Sequence, residues 1–257
     1  YEVAVKTPKD VIYAQVKQDL DLAIAGFPNA RFSNNTEKWR ASKGAAIALR
    51  AKLALFEEDW AGVLRYVADL DRLGFYALNS SYFDAFDVSK TYVEQENIFI
   101  YDHETGMQPS RGNGLTALMG WGFLAPSSNF LASFESGDPR KAMSVNVADQ
   151  AIYKLLGAQT SEFKGNDNSP VDRIYIRYAD VLLWKAEALI RSNQVPAAVV
   201  LINQIRARAR AGQAHVLPDH NAQATDAAVA MQWLQAERRV ELGGQRHRIK
   251  ELRRWKI

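Results

Sequence analysis

Asp102-His103-Glu104 sets two carboxylates around an imidazole, the residue types that serve general acid–base chemistry or ligate a metal. Consecutive residues of an extended chain point to opposite faces, so Asp102 and Glu104 share one side and His103 the other. The other histidines stand in unrelated segments: His215 and His220 flank Pro218, and His247 follows a glycine pair. No acid–base constellation converges, and no catalytic residue is assigned. The chain has no cysteine, which rules out a disulfide framework or a thiolate metal site, and no metal ligand set is assigned. Gly112-Asn-Gly114 lacks the spacing and the following Lys-Ser/Thr of a phosphate loop and reads as a turn.

A second group is basic. Arg238-Arg239 and the stretch from Arg246 to Lys256 gather cations as nucleic-acid binders do. Glu237, Glu241 and Glu251 are interleaved with them, however, and are read as intrahelical i,i+3 or i,i+4 partners. Arg206, Arg208 and Arg210 alternate on a helix and so do not line one face. The reading is a solvated or ion-paired structure with no nucleic-acid partner.

A third group is aromatic. Trp39, Trp60, Trp184, Trp233 and Trp255 lie on or beside amphipathic helices and read as core. Trp121 differs, standing between Gly120 and Gly122 in a glycine-rich stretch, residues 106–128, with Phe123 beside it. A protein that binds sugars without transforming them needs a flat apolar surface for the ring and polar groups for the hydroxyls. Trp121, Phe123, Arg111, Asn113 and Asn129 are therefore the candidate ligand-binding residues, and no cofactor is expected.

These residues need elements to hold them. With 257 residues, 47% hydrophobic and 24% charged, the chain has the balance of a globular protein with a sizeable core. The formal charge of +3 neither demands nor excludes a polyanion. The longest apolar stretches, residues 45–49 and 181–184, fall far short of the roughly 20 residues of a membrane span. Both ends read as cut from something longer, so a targeting signal or a lipid-bearing cysteine is expected outside these residues.

Thr7 as cap, Pro8 at the first helical position and Asp10 near the dipole's positive end start a helix carrying Val11, Ile12, Val16, Leu20 and Ile24. Further helices are expected at about 41–56, 60–73, 173–191, 196–211, 225–242 and 245–255. A short helix is read within 127–134, a strand at Asn97-Ile-Phe-Ile-Tyr101, and long loops at 106–128 and 158–170.

Two of the helix pairs can be superposed. Ala51, Val63, Val67 and Leu70 fall at a constant offset on Ala186, Ala198, Ile202 and Ile205. Each unit places a small residue where a neighbouring helix must approach, and branched residues four apart on its second helix. The expected fold is mainly α: tetratricopeptide-like hairpins with long loops and a few short strands. It is read as one domain over 1–257, with a loop-rich insertion at about 96–170 between the two hairpins.

The run from Arg177 to Leu189, RYADVLLWKAEAL, resembles the "RYAEVLLMYAEAL" helix of the SusD/RagB family. Asn203-Gln-Ile-Arg206 through Arg210 is similar to its "LNxVRxRAG" continuation, Glu237-Arg-Arg-Val-Glu-Leu242 to "ERRxEL", and Leu252-Arg-Arg-Trp255 to "DLRRW". Phe134-Glu-Ser-Gly-Asp-Pro-Arg140 looks like "FExxDPR", and Lys43-Gly-Ala-Ala with residues 48–55 and Asp59-Trp60 resembles the other repeat hairpin. The motifs come in family order along nearly the whole chain. Departures fall after Leu242, where Gly243-Gly-Gln-Arg-His247 stands in place of the usual aromatic–glycine pattern, and at Ile249-Lys-Glu251, which replaces the acidic step before Leu-Arg-Arg.

The resemblance implies a lipid-anchored protein on the outer face of the outer membrane, touching the membrane only through an N-terminal anchor. It implies an oligosaccharide or peptide ligand, delivered to a SusC-like TonB-dependent barrel of a Bacteroidetes cell, and no catalysis. The alternative is a tetratricopeptide-like module that binds a protein or peptide segment, or a peptide-capturing RagB-like protein.

Overall fold

The structure is a computed structural model and describes residues 6–31, 40–91, 93–106 and 112–257. Two predicted positions, Trp39 and Arg111, lie outside the described residues. Among these residues the chain is mainly helical, with eleven α-helices and four short strands.

α1 (Lys9–Gly26) leans on α2 (Lys43–Phe56), which turns back into α3 (Trp60–Arg72). The predicted start of α1 shifts by one residue: Pro8, not Thr7, is the capping position, and no side chain caps the helix. Its apolar stripe is only partly covered, since Val11, Ile12 and Val16 are exposed beside a groove walled by Leu49, Leu53 and Phe56 of α2. The two following helices start as capping chemistry dictates. Ser42 Oγ accepts from the Ala45 N–H at 3.1 Å, and an Asp59 carboxylate oxygen accepts from the Gly62 N–H at 2.9 Å.

The second hairpin, α8 (Tyr178–Arg191) with α9 (Val195–Ala209), stacks on the first through α3 and α8. All eight residues of the proposed repeat are buried: Ala51, Val63, Val67 and Leu70 in one hairpin, Ala186, Ala198, Ile202 and Ile205 in the other. α8 is buried on both sides. Val181, Trp184 and Ala188 complete the core of the first hairpin, while Leu182, Leu183, Ala186 and Ile190 join the core shared with α9 and α10 (Ala227–Glu241). An all-round apolar helix is the expected sequence of an element covered on every face.

Residues 173–177 were expected to open the α8 helix and instead form a strand, β4 (Arg173–Arg177). It pairs antiparallel with β1 (Asn97–Tyr101), Ile100 opposite Ile174 and Tyr101 opposite Arg173. Arg-Ile-Tyr-Ile-Arg alternates in type and carries β-branched residues, so its local preference is extended. Helical periodicity begins only at Tyr178, whose N–H donates to the Glu96 carbonyl at 2.8 Å.

The stretch read as one loop, 106–128, contains α4 (Leu115–Gly120), followed by α5 (Ser128–Leu131). α6 (Pro139–Ser144), the short pair β2 (Val145–Asn146) and β3 (Ala151–Ile152), and α7 (Tyr153–Leu156) complete this region. It has its own small core of Met119, Phe130, Phe134, Ile152 and Leu156, closed by Val240 of α10. α11 (Arg248–Trp255) ends the chain.

Candidate functional site

The charged residues of the ordered motifs meet in the interior. Arg140 is fully buried; its guanidinium donates to Asp138 at 2.9 Å, to Glu237 at 2.5 Å and to Glu241 at 3.0 Å. Glu241 also accepts from Arg177 at 2.7 Å and from Arg208. Arg177 and Arg208 both reach Glu96, at the start of β1. Arg206 holds Glu135 with two hydrogen bonds, at 2.6 and 3.0 Å.

A second knot ties α11 down. Arg238 donates to both oxygens of Glu251 at 2.8 Å and to Asp180 at 2.9 Å. Arg254 grips both oxygens of Glu187 at 2.6 Å, and the Trp255 indole N–H donates to the same carboxylate at 2.9 Å.

These pairs correct one expectation. Glu237, Glu241 and Glu251 do not mainly serve as intrahelical partners; Arg254–Glu251, at 3.4 Å, is the i,i+3 contact of the run. The glutamates of α10 face inward, and a buried charge requires partners from other elements. Burial alone would raise the Glu241 carboxyl, but Arg208, Arg177, Arg140 and Lys154 together hold it well below the usual carboxylate range. These guanidiniums are therefore spent on the fold rather than offered to a polyanion.

The catalytic-looking triplet is likewise built in. Asp102 and His103 are buried, the His103 backbone N–H donates to Asp172 at 3.0 Å, and the His103 ring lies 5.0 Å from that of Tyr101. His220, read as a loop histidine, stacks on Trp233 with centroids 4.3 Å apart.

Of the candidate ligand residues, Trp121 and Phe123 stand out from the surface, 61% and 72% exposed. Their rings meet edge to face at 6.4 Å. α4 places them: the Trp121 N–H closes on Ala117 at 3.0 Å and the Phe123 N–H on Leu118 at 2.9 Å. The flanking glycines serve two different needs. Gly122 takes a left-handed φ of 77°, whereas a Cβ on Gly120 would overlap the Gly165 backbone, which packs behind the helix.

Asn113 is buried beneath α4. Its side-chain amide donates to the Val171 carbonyl at 2.7 Å, and its oxygen accepts from the Leu115 N–H at 3.0 Å and from Arg173 at 3.2 Å. Asn129, exposed on α5, accepts from Arg239 at 2.7 Å.

Arg239 leads to a feature that the residue pattern did not disclose. Residues 125–127, which follow Phe123 in the chain after Leu124, line a cavity of about 410 Å³ between α5, the end of α10 and the start of α11. Phe130, Ile152, Leu242 and Trp255 supply apolar wall; Arg239, Arg246 and Arg248 supply charge. That is the usual make-up of a small-molecule site. Gly243 lines the cavity beside Phe130. A Cβ there would overlap the Phe130 ring, so glycine lets that ring lie against the end of α10. The one signal in the sequence was this departure, glycine where the resemblance expects an aromatic residue.

Residues 136–257 match the family model described as the SusD family. The SusD-like protein P2 of Formosa agariphila is 25% identical, over 98% of this chain and 57% of its own length. The chain thus spans little more than half of that curated relative. Among solved structures, a SusD-like protein from Bacteroides fragilis superposes with a TM-score of 0.76 at 20% identity, covering 97% of this chain and 61% of the other. The surface glycan-binding protein A from Bacteroides fluxus gives 0.74 at 20% identity, covering 96% and 59%.

Proposed function

From the premise that this chain belongs to the SusD/RagB family, we propose that it binds an oligosaccharide without altering it and passes the sugar to a SusC-like TonB-dependent transporter at the outer-membrane surface. The exposed pair Trp121 and Phe123 carries this reading; the chain runs on from it into residues 125–127, which line the 410 Å³ cavity. Large aromatic side chains left in water cost solvation free energy, and such a pair fits a ligand platform. An indole face matches the C–H face of a pyranose, and Ser127 and Arg239 in the cavity wall, with Asn129 bonded to Arg239, offer polar groups for hydroxyls. Two structural relatives are described as glycan-binding or carbohydrate-binding proteins, which supports the same assignment. No helix among the described residues is long and apolar enough to cross a membrane.

The test is a calorimetric titration with defined oligosaccharides on the parent chain and on Trp121→Ala with Phe123→Ala. Both side chains are exposed, so the double variant should fold normally and lose at least tenfold in affinity. Unchanged affinity in a folded double variant would remove the platform from the account. Recovery of a TonB-dependent barrel with the native protein from solubilised outer membranes tests the delivery step, and repeated recovery of the protein alone would contradict it.

A further inference from the structure

Among the described residues, many arginines are paired with carboxylates, as the two buried knots illustrate. The three that face the 410 Å³ cavity without being part of those knots are different. Arg239 donates to the neutral amide oxygen of Asn129 and lies over the Phe130 ring at 5.4 Å. Arg246 and Arg248 are exposed and have no carboxylate partner among the described residues. Glu251 is the carboxylate that lines the cavity, and Arg238 and Arg254 already neutralise it.

The backbone adds to this charge. α11 starts at the cavity, with His247, Arg248 and Ile249 in its wall. No side chain caps it, and its first internal bond is Glu251 N–H to the His247 carbonyl, so the first-turn N–H groups lack helical acceptors. A helix N-terminus of this kind favours a negative group. The C-terminus of α10, which ends at the same place, would oppose it. The terminal carbonyls there have donors from the inside: Lys154 donates to the Glu241 and Gly243 carbonyls at 2.9 Å each, and Arg177 to the Glu241 carbonyl at 2.6 Å. With Glu251 paired, Arg239, Arg246 and Arg248 are the cations of the lining that no carboxylate among the described residues offsets.

Resting on the glycan reading above, we infer that this cavity takes an acidic sugar residue, one bearing a carboxylate or a sulfate ester, whose anion is held by Arg246, Arg248 and the first turn of α11. The apolar wall receives the sugar ring, while Trp121 and Phe123 hold neutral rings further along the chain. The Arg239 guanidinium is held below its ordinary value by burial and, secondarily, by the Arg248 charge.

The experiment titrates the chain with matched pairs: oligogalacturonate against its methyl ester, and sulfated carrageenan oligosaccharides against the desulfated forms. Poly-glutamate peptide serves as a non-sugar anion. The two pairs distinguish a carboxylate from a sulfate. An acidic member should bind at least about tenfold more tightly than its neutral partner, with affinity falling as salt rises. Arg246→Gln with Arg248→Gln, both exposed positions, should keep the fold by circular dichroism and reduce that preference to less than about twofold. Equal binding of acidic and neutral members, or a preference that survives the double variant, overturns the inference and leaves glycan capture standing. Binding of the peptide in preference to every sugar overturns both readings, as does binding of no oligosaccharide at all.

Discussion

Arg177 and Glu241 stand 64 residues apart in the chain and 2.7 Å apart in the fold, both shielded completely from solvent. One ends β4, the other ends α10; Arg177 also pairs with Glu96, and Glu241 with Arg140 and Arg208. Breaking a buried pair leaves an uncompensated charge, which costs more than the pair itself contributes. Glu241→Gln is expected to destabilise the protein by about 3–5 kcal/mol, read as a lower urea midpoint. A midpoint within error of the parent would mean that the knot is not what joins the second hairpin to the 96–170 region.

Phe130 and Gly243 form a smaller dependence of the same kind. Position 243 cannot carry a side chain while the Phe130 ring lies where it does. Gly243→Ala should cost on the order of 1–3 kcal/mol through overpacking. Gly243→Ala combined with Phe130→Leu should recover part of that loss, because the smaller side chain vacates the contested space. A double variant less stable than the sum of the singles would contradict this packing.

A pH effect is expected from His247. Burial lowers its imidazole to about 4, although Asp180, at 3.6 Å, pulls the other way; Arg238, Lys52 and Arg177 add to the lowering. The folded state therefore binds this proton less readily than the unfolded chain, whose imidazole titrates near 6.5. Stability from this group is present above about 6.5 and is lost as pH falls from there towards about 4, with an upper bound of roughly 3 kcal/mol. Asp180 lies below its ordinary value and acts only in a lower window, from about 4 downward. Denaturant titrations at pH 7 and pH 4.5 should show a smaller loss in His247→Gln than in the parent. An identical loss in both would place the titrating group elsewhere.

The hairpins were legible because their information is local. A small residue, then branched residues four apart, recurs at one offset, and all eight positions are buried. The strand at 173–177 was missed because its partner, Asn97–Tyr101, lies far away in the chain, and a lone extended pentapeptide before a strong helix looks like that helix's first turn. The pairing of the α10 glutamates escaped for the same reason: spacing reveals i,i+4 neighbours, whereas Glu241 bonds to residues from three other elements. The aromatic pair Trp121–Phe123 could be picked out by its glycine setting. The cavity left only the glycine at 243 as a trace, since its walls come from residues in 125–130, 152 and 238–255, which only tertiary packing brings together.

Capture without chemistry makes one demand that a single sample can meet. The chain is mixed with an oligosaccharide at a concentration above its dissociation constant, and the heat of binding is followed by chromatography of the same solution after prolonged incubation. The account predicts saturable binding of one sugar chain per protein, followed by recovery of the oligosaccharide at its original length. Shortened or modified products that scale with protein concentration, or no saturable binding across neutral and acidic oligosaccharides, would contradict it.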